Sequence, residues 1–408
     1  MNETALAELA DWVTRAGLAG HGESELMAGY CRQLTAGGVP LARAMVILDT
    51  LHPVYEGRVF RWRADLPETV EAIDYGRTDS GEAAENWRQS PFFHLLQSGE
   101  EAMRRRLSPD LPVEFASVGE FRDAGMTDYL ALVHRFAAEG VIGDMDCVYS
   151  SWASDAPDGF GDAAIAALRR LAPFLNLAMK SAALARMAGT LAETYLGRDP
   201  GRRVMNGRIA RGVAEKIGAV LWLSDLHGYT QISDSVAPEA IIPLLNDYAD
   251  LVVSAVHDEG GDVLKLIGDG ILAIFAGDDR ARATEAALAA ALRVRKGAGK
   301  VNRSRADNGL PTSEVYLALH VGDVFYGNVG SKDRLDFTVI GPAVNEVGRI
   351  LALSRSVEQD VLLSAGFAAA LEPALRPRLV SLGRYALRGV AQPQELFTLE
   401  PGFRLASG

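Results

Sequence analysis

The chain has 408 residues, 48% of them apolar, and a formal net charge of −12. That length favours two or three domains with ordinary cores, and the acidity argues against non-specific binding to nucleic acid or an anionic membrane. Two cysteines, Cys31 and Cys147, show neither metal-ligand spacing nor a disulfide framework, which fits a reducing, cytoplasmic setting. The N-terminus is acidic, and no window approaches the roughly 18 uninterrupted apolar residues of a spanning helix, so neither a secretory signal nor a membrane span is expected.

Three zones follow in chain order. The first, 1–158, opens with helical patterning to about Leu34, then shows strand-like runs over 42–49 and 59–63. Residues 92–97 and 129–136 fit either a helix or a buried strand. A turn is expected over 140–143, another strand over 145–150, and a break over 155–159. Strands flanked by helices predict an α/β or α+β sensor-like domain. The second zone, 159–212, is helical from about Gly161 to Leu196, with Leu168, Leu171, Leu175, Ala178, Ala182 and Ala185 on one stripe. Packing on its own domain and pairing as a parallel dimer helix both fit that stripe. Residues 197–201 are expected to end the helix, and a basic junction of Arg198, Arg202, Arg203, Arg208 and Arg211 follows, read as a solvated linker with contact to the acidic catalytic surface as the alternative.

The third zone, 213–401, begins with a strand at 219–223 and a helix over 238–257. A hairpin over 262–275 turns at Gly268, Asp269 and Gly270, and a helix covers 281–296. Two strands (315–319 and 324–326), a helix over 342–353 and closing strands near 382–387 and 395–399 complete it. The order β-α-ββ-α-β predicts a ferredoxin-like palm.

In such a palm the first strand neighbours the hairpin, so Asp225 and Asp269 converge. Hard divalent cations want carboxylate oxygens, and two ions can serve an in-line displacement at phosphorus. Taken singly, Asp225 is as well explained as a helix cap and Asp269 as an Asp-Gly turn. Gly228 and Thr230 follow Asp225 in a glycine turn that suits a phosphate chain. Lys265, on an otherwise apolar strand, either reaches a partner or snorkels to solvent. Asn345 and Arg349 are spaced i, i+4 and share a helix face. Arg stabilises charge developing on a phosphoryl group and Asn orients oxygens, although a solvated face explains either one alone.

Four ordered blocks carry a resemblance. They are Ser224-Asp-Leu-His-Gly-Tyr-Thr230, Lys265-Leu-Ile-Gly-Asp-Gly270, His320 to Gly330, and Asp336 to Arg349 with its Thr-Val-Ile-Gly-Pro-Ala-Val-Asn core. Together they resemble the class III nucleotidyl cyclases over about 213–401, somewhat under half of the chain. The resemblance implies that Asp225 and Asp269 bind two Mg²⁺ or Mn²⁺ ions and that Lys265 and Thr338 read the purine. It implies that Asn345 orients the ribose, that Arg349 stabilises the transition state, and that Arg388 contacts the triphosphate where the family carries lysine. Thr338 is similar to the Thr-containing adenylyl branch, so ATP is the expected substrate, converted to 3′,5′-cyclic AMP and pyrophosphate. Pro342 departs from the usual Asp or Asn but suits a helix start. The family builds its site between two catalytic domains, and this chain carries both residue sets, so a head-to-tail homodimer is expected.

The first 158 residues and the next helix loosely resemble a GAF-type sensor leading into a signalling helix, with a dimerisation-only role as the alternative. This rests on element order alone. Its ligand is not readable; His52, His94 and His134 are considered for haem and Cys147 for redox sensing, against ordinary structural roles. Trp62, Trp87 and Trp152 read as core or pocket wall. Cyclisation of GTP, diguanylate synthesis and a non-catalytic nucleotide-binding dimer are the rival readings. Against the second, Gly260-Gly-Asp262 precedes the strand instead of occupying the hairpin turn.

Overall fold

A computed structural model describes residues 1–108, 112–136, 142–143 and 145–403. The turn expected over 140–143 therefore lies partly outside the described residues, at Gly140 and Val141. The chain divides into two compact units, Met1–Leu191 and Ala192–Gly408. Both are mixed α/β. Among the described residues no helix is long and apolar enough to cross a membrane.

The first unit runs α1 (Glu3–Leu18), α2 (Glu23–Ala36), β1 (Arg43–Asp49), β2 (Gly57–Arg63), β3 (Val70–Tyr75), α3 (Gly81–Arg88), α4 (Pro91–Ser98), β4 (Ala102–Arg106), α5 (Ala116–Asp123), β5 (Asp128–Arg135), β6 (Cys147–Ser154) and α6 (Asp162–Leu196). Its strands form one six-stranded sheet in the order β3-β2-β1-β6-β5-β4, with every pair antiparallel. Successive side chains alternate between faces. Ala44, Val46 and Leu48 join a core with Trp62, Trp152 and the buried stripe of α6, Leu168, Leu171, Leu175 and Ala178. Met45 and Ile47 face a second core with Phe92, Leu95, Tyr129 and Tyr149. Beyond Ala178 the stripe thins, and Ala185 is exposed.

Residues 92–97 are helical because Ser90 caps the segment, accepting from the Phe93 N–H at 3.1 Å, and Pro91 starts it. Asp128, fully buried, ties the sheet to the chain before α6. It accepts from Arg104 at 2.7 Å and from the Phe160 N–H at 2.9 Å, and Arg106 lies 3.4 Å away. His94 meets the Phe115 ring edge-on, with centroids 5.8 Å apart. His134 Nδ1 bonds Asn176 at 2.9 Å, and His52 Nδ1 accepts from the Val54 and Tyr55 N–H groups at 3.1 and 3.2 Å.

The second unit runs α7 (Arg198–Met205), β7 (Ala214–Leu226), α8 (Tyr229–Ser235), α9 (Pro238–Asp258), β8 (Asp262–Ile267), β9 (Gly270–Ala276), α10 (Arg280–Asp307), β10 (Val315–Gly330), β11 (Leu335–Ile340), α11 (Pro342–Leu351), α12 (Ser354–Val357), β12 (Val361–Ser364), α13 (Ala365–Ala370), β13 (Leu379–Tyr385) and β14 (Gln394–Leu399). The sheet order is β13-β14-β12-β10-β7-β9-β8, with β11 paired to β10. The stretch β10-β7-β9-β8 is the ferredoxin-like palm. Val220, Trp222 and Phe275 face α9 and α10. Leu221 and Ile274 face α11 through Val347 and Ile350.

Three expectations are corrected. The strands expected at 315–319 and 324–326 are one continuous strand, β10. Gly322 and Asp323 resemble a turn in sequence, yet β7 pairs across them without a break. A Cβ at Gly322 would lie 2.4 Å from Ala343 Cβ, so the glycine makes room for α11. The helix expected to stop at 296 continues to Asp307, because Gly297 lets Leu251 of α9 approach; a Cβ there would lie 2.2 Å from Leu251 Cδ1. The basic junction departs from a solvated linker at Arg203, while Arg198, Arg202, Arg208 and Arg211 are exposed. Gly197, at φ 92°, opens α7, and its Cβ position lies 2.3 Å from the Val263 carbonyl oxygen. Arg203 donates to Asp199 at 2.5 Å, pairs with Glu215 and lies 4.9 Å from the Tyr326 ring centroid.

Candidate active site

Asp225 sits at the end of β7. Strand alternation turns Ser224 toward α9 and Asp225 to the face that carries α11. Ser224 Oγ is fully buried and accepts from Trp222 Nε1 at 2.9 Å and Tyr248 Oη at 2.8 Å. That bonding fixes the strand end from which Asp225 projects.

Asp269 lies in the turn between β8 and β9, and its Oδ2 accepts from the Leu226 N–H at 3.2 Å. The bond brings the turn to the end of β7 and the two carboxylates into one electrostatic environment. Burial, then the Asp269 charge, push Asp225 up to about 6, with Arg355 of α12 opposing. A pair of carboxylates that repel across a half-buried cleft is a donor set for a hard cation. Among the described residues no group of three or more acidic, histidine or cysteine side chains could hold a metal. Two carboxylates alone are compatible with Mg²⁺ or Mn²⁺, which typically takes one or two carboxylates and completes its shell with water and phosphate oxygens.

A second group gathers at β8 and β11. Lys265 forms an ion pair with Asp336, and Thr338, two residues further along β11, is 6% exposed on the same strand face. A third group lies on α11. Asn345 is exposed and Arg349 half-buried. A Cβ on Gly389 would lie 3.4 Å from the Arg349 guanidinium, so the loop holding exposed Arg388 comes up to Arg349. Gly228, at φ 70°, precedes α8, with Thr230 exposed in its first turn. Among the described residues no hydrogen bond or ion pair joins Asp225 or Asp269 to Lys265, Thr338, Asn345 or Arg349.

Residues 214–401 match the adenylate and guanylate cyclase catalytic domain. An adenylate cyclase of Anabaena cylindrica is 36% identical to this chain over 157 residues, covering 38% of this chain and 30% of that protein. An uncharacterised Mycobacterium tuberculosis protein is 34% identical over 204 residues, covering 50% of this chain and 36% of that one. The chain thus spans about a third of the length of these curated relatives. The crystal structure of the adenylyl cyclase CyaB from P. aeruginosa aligns at 22% identity and a TM-score of 0.43, over 47% of this chain and 98% of that one.

Within the cyclase domain, sequence reasoning missed three contributors. Asp336 stood inside a quoted block, and its i, i+2 relation to Thr338 on a strand was the available signal. Arg355, which opposes the charge on Asp225, and Tyr248, which anchors Ser224, had no signal beyond residue type, because tertiary packing brings them in.

Proposed function

We propose that the chain is an adenylyl cyclase that converts ATP to 3′,5′-cyclic AMP and pyrophosphate under control of its N-terminal unit. The observation that carries this reading is the convergence of Asp225 and Asp269 inside a region matching the cyclase catalytic domain. Asp225 and Asp269 would hold Mg²⁺ or Mn²⁺, which when bound neutralise the triphosphate and lower the pKa of the ribose 3′-hydroxyl. The 3′-oxygen gives up its proton and bonds to the α-phosphorus, and the bond from that phosphorus to the β-phosphate bridging oxygen breaks. Arg349 stabilises charge on the α-phosphoryl oxygens and Asn345 orients the ribose. Gly228, Thr230 and Arg388 attend the phosphate chain.

Lys265 and Thr338 read the base. An ammonium donates only, and so suits adenine N1, an acceptor, over guanine N1, itself a donor. The relatives named adenylate cyclase support the same choice. The resemblance implies a site shared between two catalytic domains, and this chain carries both residue sets, which supports a head-to-tail homodimer in which each site takes one group from each protomer. We further propose a cytoplasmic protein divided into a GAF-like regulatory domain (1–158), a helical signalling linker (159–212) and the catalytic domain (213–401).

Purified protein incubated with each of ATP, GTP, CTP and UTP, with Mg²⁺ or Mn²⁺, tests the reading. Cyclic AMP from ATP, lost in Asp269→Ala, is the expected result. Cyclic GMP as the main product would overturn the base assignment and keep the chemistry. No product from any nucleotide, in a folded dimer, would overturn the catalytic reading.

A further inference from the structure

The long helix α6 has two apolar stripes. Leu168, Leu171, Leu175 and Ala178 are taken up by the core of the first unit. The opposite side of the same helix carries Phe174, Leu177, Ser181, Leu184, Ala188 and Leu191, at alternating spacings of three and four. Phe174 is 42% and Leu177 69% exposed. Ser181 and Ala188 are exposed, and Leu184 and Leu191 are half-buried. A helix that only covers its own domain needs one stripe. The second stripe repeats every seven residues over about 26 Å, the pattern by which one helix packs along another.

The residues in the repeat select the occupant. Leu177, Leu184 and Leu191 hold the d position of each heptad, and Phe174, Ser181 and Ala188 hold a. When two such helices run parallel, a layers meet a and d layers meet d. A second copy of this chain then stacks leucine on leucine in three layers. It also sets Ser181 beside the same residue of its mate, where each hydroxyl finds a partner. An antiparallel pair would set a against d, with the Ser181 hydroxyls facing leucine.

Charge agrees with self-pairing. The protein carries −12, so two copies repel over most of their surfaces. Between Leu171 and Ala192 the charged residues are Lys180 and Arg186. Both turn back onto their own unit. Lys180 Nζ lies 3.6 Å from the Phe136 ring centroid, and Arg186 Nε donates to Glu23 at 2.9 Å. Ala178 and Ala185 flank the stripe and leave the two backbones room to approach.

We propose that this stripe pairs two copies of the chain through α6, parallel and in register. The contact is separate from the catalytic homodimer proposed above and does not rest on the cyclase reading.

Disulfide trapping of the full chain tests the pairing, because Cys31 and Cys147 are buried and stay out of the reaction. Ser181→Cys and Ala188→Cys are made one at a time, both at exposed positions. Under mild oxidation each is expected to give a linked dimer on a non-reducing gel, at least tenfold faster than Arg169→Cys, which is exposed on α6 but off the stripe. An antiparallel pair can bring one of the two positions beside its own copy but not both, since they stand about two turns apart. Leu177→Glu sets two carboxylates face to face in a d layer. It should raise the dimer dissociation constant measured by sedimentation at least tenfold, in a protein that still melts cooperatively. The proposal is overturned if neither Ser181→Cys nor Ala188→Cys links faster than Arg169→Cys, or if only one does. It is also overturned if Leu177→Glu dissociates like wild type. Cyclase activity does not enter these readouts, so a chain that links as expected yet turns over no nucleotide would count against the catalytic reading alone.

Discussion

Asp128 and Asp225 are both carboxylates withdrawn from water at a strand end, one in each unit, and their surroundings are opposite. Asp128 is fully buried and compensated by Arg104, Arg106 and the Phe160 N–H. Asp225 is half-buried beside a second carboxylate, which with burial pushes it up to about 6. A charge matched on every side holds a fold together, whereas a charge left with a like neighbour is kept for something that arrives later. The contrast separates structural from functional acids without reference to any relative.

Substitutions sharpen that contrast. The largest effect on activity is expected at Asp269. Replacing it with Asn should lower cyclase activity on the order of 100-fold or more. It should leave the apo protein as stable as wild type or more so, because a like-charge neighbour is removed. Thermal melts with and without Mn²⁺ would show the metal-dependent stabilisation disappear. A large loss of apo stability instead would place Asp269 with Asp128 as a structural acid. Asp128→Ala should do the reverse, destabilising the first unit by about 1–3 kcal/mol, because the buried Phe160 N–H loses its acceptor and part-exposed Arg104 loses its partner. A denaturant midpoint unchanged from wild type would break the comparison.

Next in size is Lys265→Glu. If Lys265 reads the base as proposed, the variant should lower kcat/KM for ATP about 10–100-fold, with GTP affected less. Equal losses for both nucleotides would leave Lys265 a structural partner of Asp336. Mixing Asp225→Ala with Arg349→Ala, each inactive alone, should restore about a quarter of wild-type activity after subunit exchange. Half of the pairs are then mixed, and each mixed pair holds one intact site of two. No recovery, with exchange verified, would assign a complete site to each protomer.

The smallest effect is in pH. His320 is buried, with Nδ1 bonded to Ser364 Oγ at 2.9 Å, and burial lowers its pKa against the opposing charge of Glu346. Between that lowered value and about 6.5, the unfolded chain binds more protons than the native one. Stability is therefore retained above about pH 6.5 and lost as pH falls through the folded value. In His320→Gln the melting midpoint should drop less between about pH 7.5 and about pH 5.5 than it does in wild type. An identical drop would remove His320 from the account.

The palm was legible in the sequence through its turn residues and the amphipathic α9, although β9 and the middle of β7 are buried on both faces. The hairpin turn and α9 carry clear signals, and the four blocks locate every proposed site residue of 214–401 except Arg388. The first unit was harder to read for a physical reason. β5 is covered on both faces, so Tyr129 through Val133 are all buried and the alternation that marks a strand vanishes. Glycine misled twice. Gly322 and Gly297 look like stops, and both are places where another element comes close. The pairing of Lys265 with Asp336 crosses 71 positions of sequence and depends on β11, a strand that pattern reading did not find.

Gly197 carries a consequence for variation at this position. Its backbone angle suits only glycine, and any Cβ would overlap the Val263 carbonyl two residues before Lys265. Relief would require moving β8, the strand that carries Lys265. In a saturation mutagenesis experiment selected on nucleotide cyclisation, position 197 should therefore tolerate no substitution. It would score like a catalytic residue while touching no substrate, and a conservation map alone would misfile a hinge-point of the backbone as chemistry.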